Sequence, residues 1–410
     1  MPLGSVAAYQ AALETTNTAM SYAMESTWAT APASTFQAMR ILSESMAHKK
    51  TRTRPPEIRG DRQSAPALTT QEGASGSIVF PVFYSETGRA SQFDDFLSSV
   101  VGGDWQPPTV IVAVGGDIAL GAGGVLTSTT ADKFASILVS QVLKLNGFTN
   151  AVNNGFYRVA QVVSGSSLVL APIGFVPVAE TPAGTTARIS FSNLRNGQFF
   201  KSIFAQQRLD PAGTKWFRYP GIYATKGSLT LSLGQFLQAS FDVTAQQEMR
   251  GLTDVSTGGI IPAPNTRDYD PIAGFKGVFW NDAPLGTGVN SAGFDLMNEG
   301  AAGEYFLGSA LAQGMLGGTF MANSRSEFAV RDFLLYDAFR AETQGVYSVH
   351  YGDQVGNRYV FTMPNSIIMF DSGVPVSGSN KMLMASVSVE GSPSSEAGCT
   401  ISIDRFSALA

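Results

Sequence analysis

Cysteine and histidine are almost absent. The chain has one cysteine, Cys399, and two histidines, His48 and His350, in 410 residues. A single thiol excludes an internal disulfide and reads as a buried structural group made in a reducing compartment. Neither a Cys/His zinc cluster nor a Cys–His dyad has support at this composition. Charge is scarce too: Asp, Glu, Lys and Arg make up 14% of the chain, with a net charge of −5. That balance argues against a protein that grips nucleic acid through its phosphates. It suits a surface that meets other subunits, because interface cores are depleted of charge. No apolar run of about 18 residues is present, so no membrane-spanning helix is expected. Residues 6–24 lack the basic-then-apolar pattern of a signal peptide. Catalytic signatures are also missing. There is no GxSxG elbow, and the Gly-rich residues 115–124 lack the strand-then-helix context and Lys-Ser/Thr ending of a phosphate loop. Asp268 and Asp270 lie in a turn-rich stretch where scattered acids are common. No catalytic residue, cofactor or metal ligand is assigned.

What the chain has is turn residues and alternation. Its 43 glycines, with many Ser and Thr, predict a mainly β protein. The most informative stretch is residues 75–103. Ile78, Phe80 and Val82 alternate with Val79, Pro81 and Phe83, a strand apolar on both faces, with Pro81 suggesting an edge. Phe93, Phe96, Leu97, Val100 and Val101 then follow a 3.6-residue period and predict an amphipathic helix. Ser91 and Asp94 resemble a capping box, Gly102-Gly103 a stop, and Asp94 and Asp95 suit the helix dipole on the polar side.

Upstream, a short helix is expected over residues 6–14, then a small-residue segment free to drape over a neighbour or to stay flexible. A strand over 36–46 follows. Residues 47–63 change character: Lys49, Lys50, Arg52, Arg54, Arg59 and Arg62 are opposed only by Glu57 and Asp61, and Pro55-Pro56 blocks a helix. This reads as a protruding loop or hairpin tip that contacts nucleic acid, docks on a neighbour or is merely solvated. Downstream, residues 109–191 carry few charges and several short strands (110–114, 137–145, 156–163, 167–171 and 187–191), as expected of a small β-barrel or sandwich inserted at a loop tip. Residues 215–223 (KWFRYPGIY) read as an aromatic strand ending in a Pro-Gly turn. They are a possible sugar platform, but more simply core and interface. Residues 228–233 and 239–244 continue an antiparallel meander. Residues 251–273 read as a linker.

The pattern then recurs. Residues 318–323 match 76–81. The segment 326–340 matches the helix, with Val330, Phe333 and Leu334 where Phe93, Phe96 and Leu97 stand. Residues 359–364 echo 216–220, and 382–389 echo 236–243. Preserved order over several elements predicts a duplication. The expected fold is two tandem β-sandwich domains, each with a flanking α-helix, plus an inserted β domain. The boundaries are 1–106 with 198–251, 107–197, and 252–410.

Several soft motifs in order resemble tail tube proteins of long-tailed bacteriophages: ESTWATAP at 25–32, EIRGDRQ at 57–63, GASGSIVF at 73–80, FDDFL at 93–97 and LNGFTNAVNNGF at 145–156. The likeness covers most of residues 20–250. It implies subunits assembled into rings whose sheets join as an inner β-barrel. The rings stack into a tube through which double-stranded DNA leaves the capsid. It also implies assembly in the bacterial cytoplasm, residence in the virion tail, and tape measure, terminator and distal tail proteins as partners. In that family a long loop reaches the adjacent ring; the matching residues are Lys49, Lys50, Arg52, Arg54, Glu57, Arg59, Asp61 and Arg62. Two tube domains per chain imply a trimer with pseudo-sixfold symmetry, and one implies a hexamer. The alternatives are a surface carbohydrate-binding protein, using the insert and the aromatic strand, or a polysaccharide hydrolase, for which paired acids are lacking.

Overall fold

A computed structural model describes residues 13–58, 60–61, 63–84, 91–286, 288–331, 333–370 and 382–408. Among them the chain is mainly β, with two α-helices, α1 (Gln92–Val101) and α2 (Leu334–Arg340). Its backbone is one continuous antiparallel sheet of eight strands. In spatial order these are Ala47–Thr53, Leu68–Pro81, Gln238–Ala245, Trp216–Ser232, Val289–Glu299, Thr319–Ala329, Met384–Gly391 and Arg358–Phe370. Alternate side chains face one shared core: Ala292, Phe294 and Leu296 are buried, as are Ala385, Val387 and Val389. A side-chain period of two requires this when one face is dry.

Two smaller strand groups share that core. Ile203–Arg208 pairs onto the first half of Trp216–Ser232, and Ala19–Met24 pairs onto Ile203–Arg208. Phe275–Trp280, Gln344–Gly352 and Ser402–Phe406 build onto the first half of Arg358–Phe370. Each long strand therefore belongs both to the eight-stranded sheet and to one smaller group. The Pro220-Gly221 pair is not the expected turn but a bulge inside one 17-residue strand. Gly221 takes φ +68°, and a Cβ there would meet Trp28 Nε1 at 2.7 Å. A bulge absorbs the missing proline N–H and redirects the strand. Pro364 repeats this inside Arg358–Phe370, where pairing shifts between Gly345 and Tyr347.

The eight-stranded sheet is two quartets in the same order. Phe80 faces Ala239 in the first and Phe328 faces Ala385 in the second. The quartets meet where Lys226–Ser232 pairs with Ser291–Met297. This register corrects the sequence match of 318–323 to 76–81. Gly76 and Ser324 are the equivalents, since they face Val243 and Val389. An even shift along an alternating strand preserves its pattern, so sequence alone could not choose the register. The helix match is likewise out of register, although a helix does follow the equivalent strand. Residues 326–329 complete a strand, α2 begins only at Leu334, and Asp332 lies outside the described residues.

Other expectations need correction. Leu68–Pro81 is not an edge, because it pairs on both sides and Pro81 is merely its last residue. The capping box does not form: Ser91 is the N-cap but its side chain makes no cap hydrogen bond. Gly102 does stop α1, at φ +68°. Nine of the ten residues of α1 are buried, Asp94 included, so this helix has almost no wet side. The helix expected over 6–14 falls mostly outside the described residues. The strand expected over 36–46 is two short pieces, Phe36–Ala38 and Ser43–Glu44. Residues 19–29 are held within the chain and do not stay loose. Glu25 accepts N–H bonds from Gly221 (2.8 Å) and Ala29 (2.9 Å) and the Ser202 hydroxyl (2.6 Å). The expected linker is woven in, with Tyr269 fully buried and its N–H bonded to the Val82 carbonyl.

Residues 109–191 form a separate seven-stranded sheet with its own apolar core, including Leu120, Phe134, Tyr157 and Ile189. The strand expected over 137–145 begins only at Val142. This unit leaves the first half of the chain but rests on the second. Arg158 makes a forked bond to Asp282 (2.9 and 2.7 Å), and Phe156 packs on Phe406 with Arg358 over its ring.

Candidate assembly surfaces

Strands Ala47–Thr53 and Leu68–Pro81 form a hairpin arm. Residues 49–58 are all exposed, and Ile58 is fully so. The arm brings Lys49, Lys50, Arg52, Arg54, Glu57 and Asp61 together on one projection; Arg59 and Arg62 lie outside the described residues. Lys50 pairs with Glu72 at 3.0 Å, Arg54 bonds the Ser64 hydroxyl, and Asp61 accepts the Gln63 N–H. Lys49, Arg52 and Glu57 form no ion pair with a described residue. The root of the arm is braced by the second half: the Glu72 N–H reaches the Ala310 carbonyl (2.7 Å), and Tyr305 donates to the Glu72 carbonyl (3.3 Å). A supported base with unneutralised charge on its projection suits a docking element.

The sheet ends in two open edges. Ala47–Thr53 pairs only with Leu68–Pro81 among the described strands. At the other end Ile368–Phe370 pairs only with Val387–Val389 among them. Open edges are a hazard unless another chain covers them.

Sequence reasoning missed three buried acids, one of which, Asp94, bridges the two halves. Asp94 of α1 accepts from the Tyr359 hydroxyl at 2.9 Å and ion-pairs with Arg405, both from the second half. Burial pushes Asp94 up, while Arg405 pulls it down. Asp95 accepts from the Tyr22 hydroxyl at 2.7 Å, and burial raises it to about 6. Asp404 accepts from the Val142 N–H and Asn193, and burial raises it to about 7. Folded-state pKa values above the ordinary 3.8 mean that the folded chain holds these protons more tightly. Their contribution is full below the unfolded value and is lost as pH rises through about 6 and then about 7. Denaturant midpoints should fall across that window, and Asp95→Asn should remove the lower part of the fall. A midpoint that rises over the same range would contradict the assignment. Asp94 and Asp95 looked like ordinary helix-start residues because their partners lie far away in sequence.

The remaining candidates have structural roles. Trp216, Tyr219 and Tyr223 are buried and Phe217 is half-buried, so the aromatic run serves mainly as core. Asp268 ion-pairs with Arg40 (2.7 Å), and Asp270 accepts N–H bonds from Ile272 and Ala273. His350 is fully buried, and burial together with Arg358 pushes it well below its ordinary value. Cys399 is buried. Among the described residues no three His, Cys, Asp or Glu groups are placed to hold a metal ion.

A family model described as phage tail tube protein matches residues 15–392. No curated protein matches the chain.

Proposed function

The chain belongs to the phage tail tube protein family, and from that premise we propose that it polymerises as stacked rings forming the conduit for double-stranded DNA from capsid to host. It is a structural component of the virion tail, and we read it as having no enzymatic activity. The observation that carries the proposal is the eight-stranded sheet of two equivalent quartets with an open edge at each end. Pairing one chain's Ile368–Phe370 edge with the next chain's Ala47–Thr53 edge would repeat the internal junction and close a ring. Two quartets per chain favour a trimer with pseudo-sixfold symmetry.

On this reading residues 1–106 with 198–251 and residues 252–410 are the two tube domains, and residues 107–197 decorate the outside. Lys49, Lys50, Arg52, Arg54, Glu57, Arg59, Asp61 and Arg62 contact the adjacent ring. A lumen lined by a low-charge acidic protein would let DNA slide rather than bind. Assembly in the host cytoplasm and contact with tape measure, terminator and distal tail proteins complete the proposal. Negative-stain electron microscopy with native mass measurement tests it. Stacked rings of three chains are expected, rings of six would overturn the symmetry, and discrete globules that bind glycan would overturn the function.

A further inference from the structure

The internal junction also shows what should cover helix α2. Helix α1 follows Leu68–Pro81, and α2 follows the equivalent strand Thr319–Ala329. Yet α1 is almost wholly buried, while α2 has no buried residue; Phe333 is 70% exposed and Tyr336 41%. The difference has a visible cause. Helix α1 is covered by the opposite half of its own chain, through Tyr359, Arg405 and an Asn298 side-chain bond to the Val100 carbonyl (2.8 Å).

The position that grips α1 has a counterpart in the first half. The paired bulges align Tyr219 with Met363, because their partners Ala205 and Tyr347 flank the same irregularity. Lys215 then stands where Tyr359 does. The edge strands Met249–Gly251 and Ser402–Phe406 occupy the same place beside the two long strands, and Leu252 falls where Arg405 does. At that counterpart the surface is an open cleft of about 560 Å³, lined by Leu209, Trp216, Phe217 and Leu252 with Lys215 and Arg250 on its rim. Leu252 is 78% exposed. The inner face of α2 (Leu335, Ala338 and Phe339) rests on the core, so one chain carries a helix with an exposed outer aromatic face, Phe333 and Tyr336, and, on its other half, an open apolar cleft. Of the charges exposed on α2, Asp337 complements Lys215 and Arg250 at the cleft and Arg340 does not.

We propose that helix α2 of one chain docks through Phe333 and Tyr336 into the Trp216–Leu252 cleft of the next chain, as α1 docks within the chain. The contact is head-to-tail and rests on the ring reading above. Exposed aromatics entering an apolar cleft are typical anchors of an interface.

Two variants test it: Phe333→Ser with Tyr336→Ser, and Leu252→Asp. Phe333 and Leu252 are largely exposed and Tyr336 gives up an edge contact with Phe370, so each variant should remain folded, with a cooperative melt close to that of the parent. Each alone should need at least ~10-fold more protein to assemble rings. Mixed, they should form a heterodimer in sedimentation, because the intact helix of one meets the intact cleft of the other. Should Leu252→Asp fail to fold, Phe333→Cys mixed with Leu252→Cys should cross-link under a short bismaleimide, while neither does alone. Rings that form at the parental concentration in both variants, or a Phe333→Cys chain that links to itself, overturn the docking and leave the ring reading standing. A parent protein that forms no rings overturns the ring reading itself.

Discussion

Replacing Arg405 by Met should destabilise the fold by about 3–5 kcal/mol, the usual cost of leaving a buried charge without its partner. Asp94 and Arg405 have side chains only 7% and 20% exposed, so solvent cannot take over the lost interaction. The guanidinium also lies over the Trp105 ring, 4.5 Å from its centroid, and that contact disappears as well. What remains is a carboxylate held by the Tyr359 hydroxyl alone. Because the pair joins α1 to the second half, the loss falls on the junction between the quartets. Removing both charges, Asp94→Asn with Arg405→Met, should recover part of the loss, since the stranded charge is then gone. Urea titrations of the two single variants and the double measure this. A double variant as damaged as the sum of the singles would show that the two residues do not act as a pair.

Reversing the charge of Arg52, Arg54 and Arg59 together should abolish tube growth while leaving a folded subunit. Arg52 and Arg54 are exposed on the arm, and its core-facing anchors lie elsewhere, at Ala74, Ile78 and Phe80. The substitution changes the sign of the projection without touching those anchors, so the melting temperature should stay near the parental value. Rings without stacking, seen by electron microscopy, would tie the arm to the axial contact. Tubes of normal length would sink the idea. The effect should be strongest at low salt if charge pairing carries the contact, because the Debye length shortens as ions are added.

The two experiments separate two kinds of contact. Arg405 holds one chain's halves together, whereas the arm is proposed to hold chains to one another. The internal junction is satisfied within the chain by a ladder of paired residues from Lys226 to Ser232 and by the buried polar network on α1. The arm, the open sheet edges, α2 and the Trp216–Leu252 cleft are left unsatisfied. Their distribution, one set on each half, is what a repeating assembly needs.

Much was legible in the sequence. Alternation along 228–233, 239–244 and 383–389 specifies strands because a pleated strand presents every second residue to the core. The stripe from Phe93 to Val101 specifies a helix because its period is 3.6, and Gly102 specifies where that helix stops because it can take a left-handed φ. The order of motifs pointed to the tail tube family. Partners at long range were not legible. A period of two is unchanged by an even shift, so only the ladder decided that Ser324, not Gly318, stands for Gly76. Pro-Gly permits either a turn or a bulge, and the packing of Trp28 on Gly221 decided for the bulge. Asp94 and Asp95 looked like solvated helix-start acids until Tyr359, Arg405 and Tyr22 arrived from strands distant in sequence. Local periodicity therefore determined which residues form strands and helices. Tertiary structure alone decided which strands meet, which charges are buried and which faces remain uncovered, because these depend on contacts between residues from tens to hundreds of positions apart.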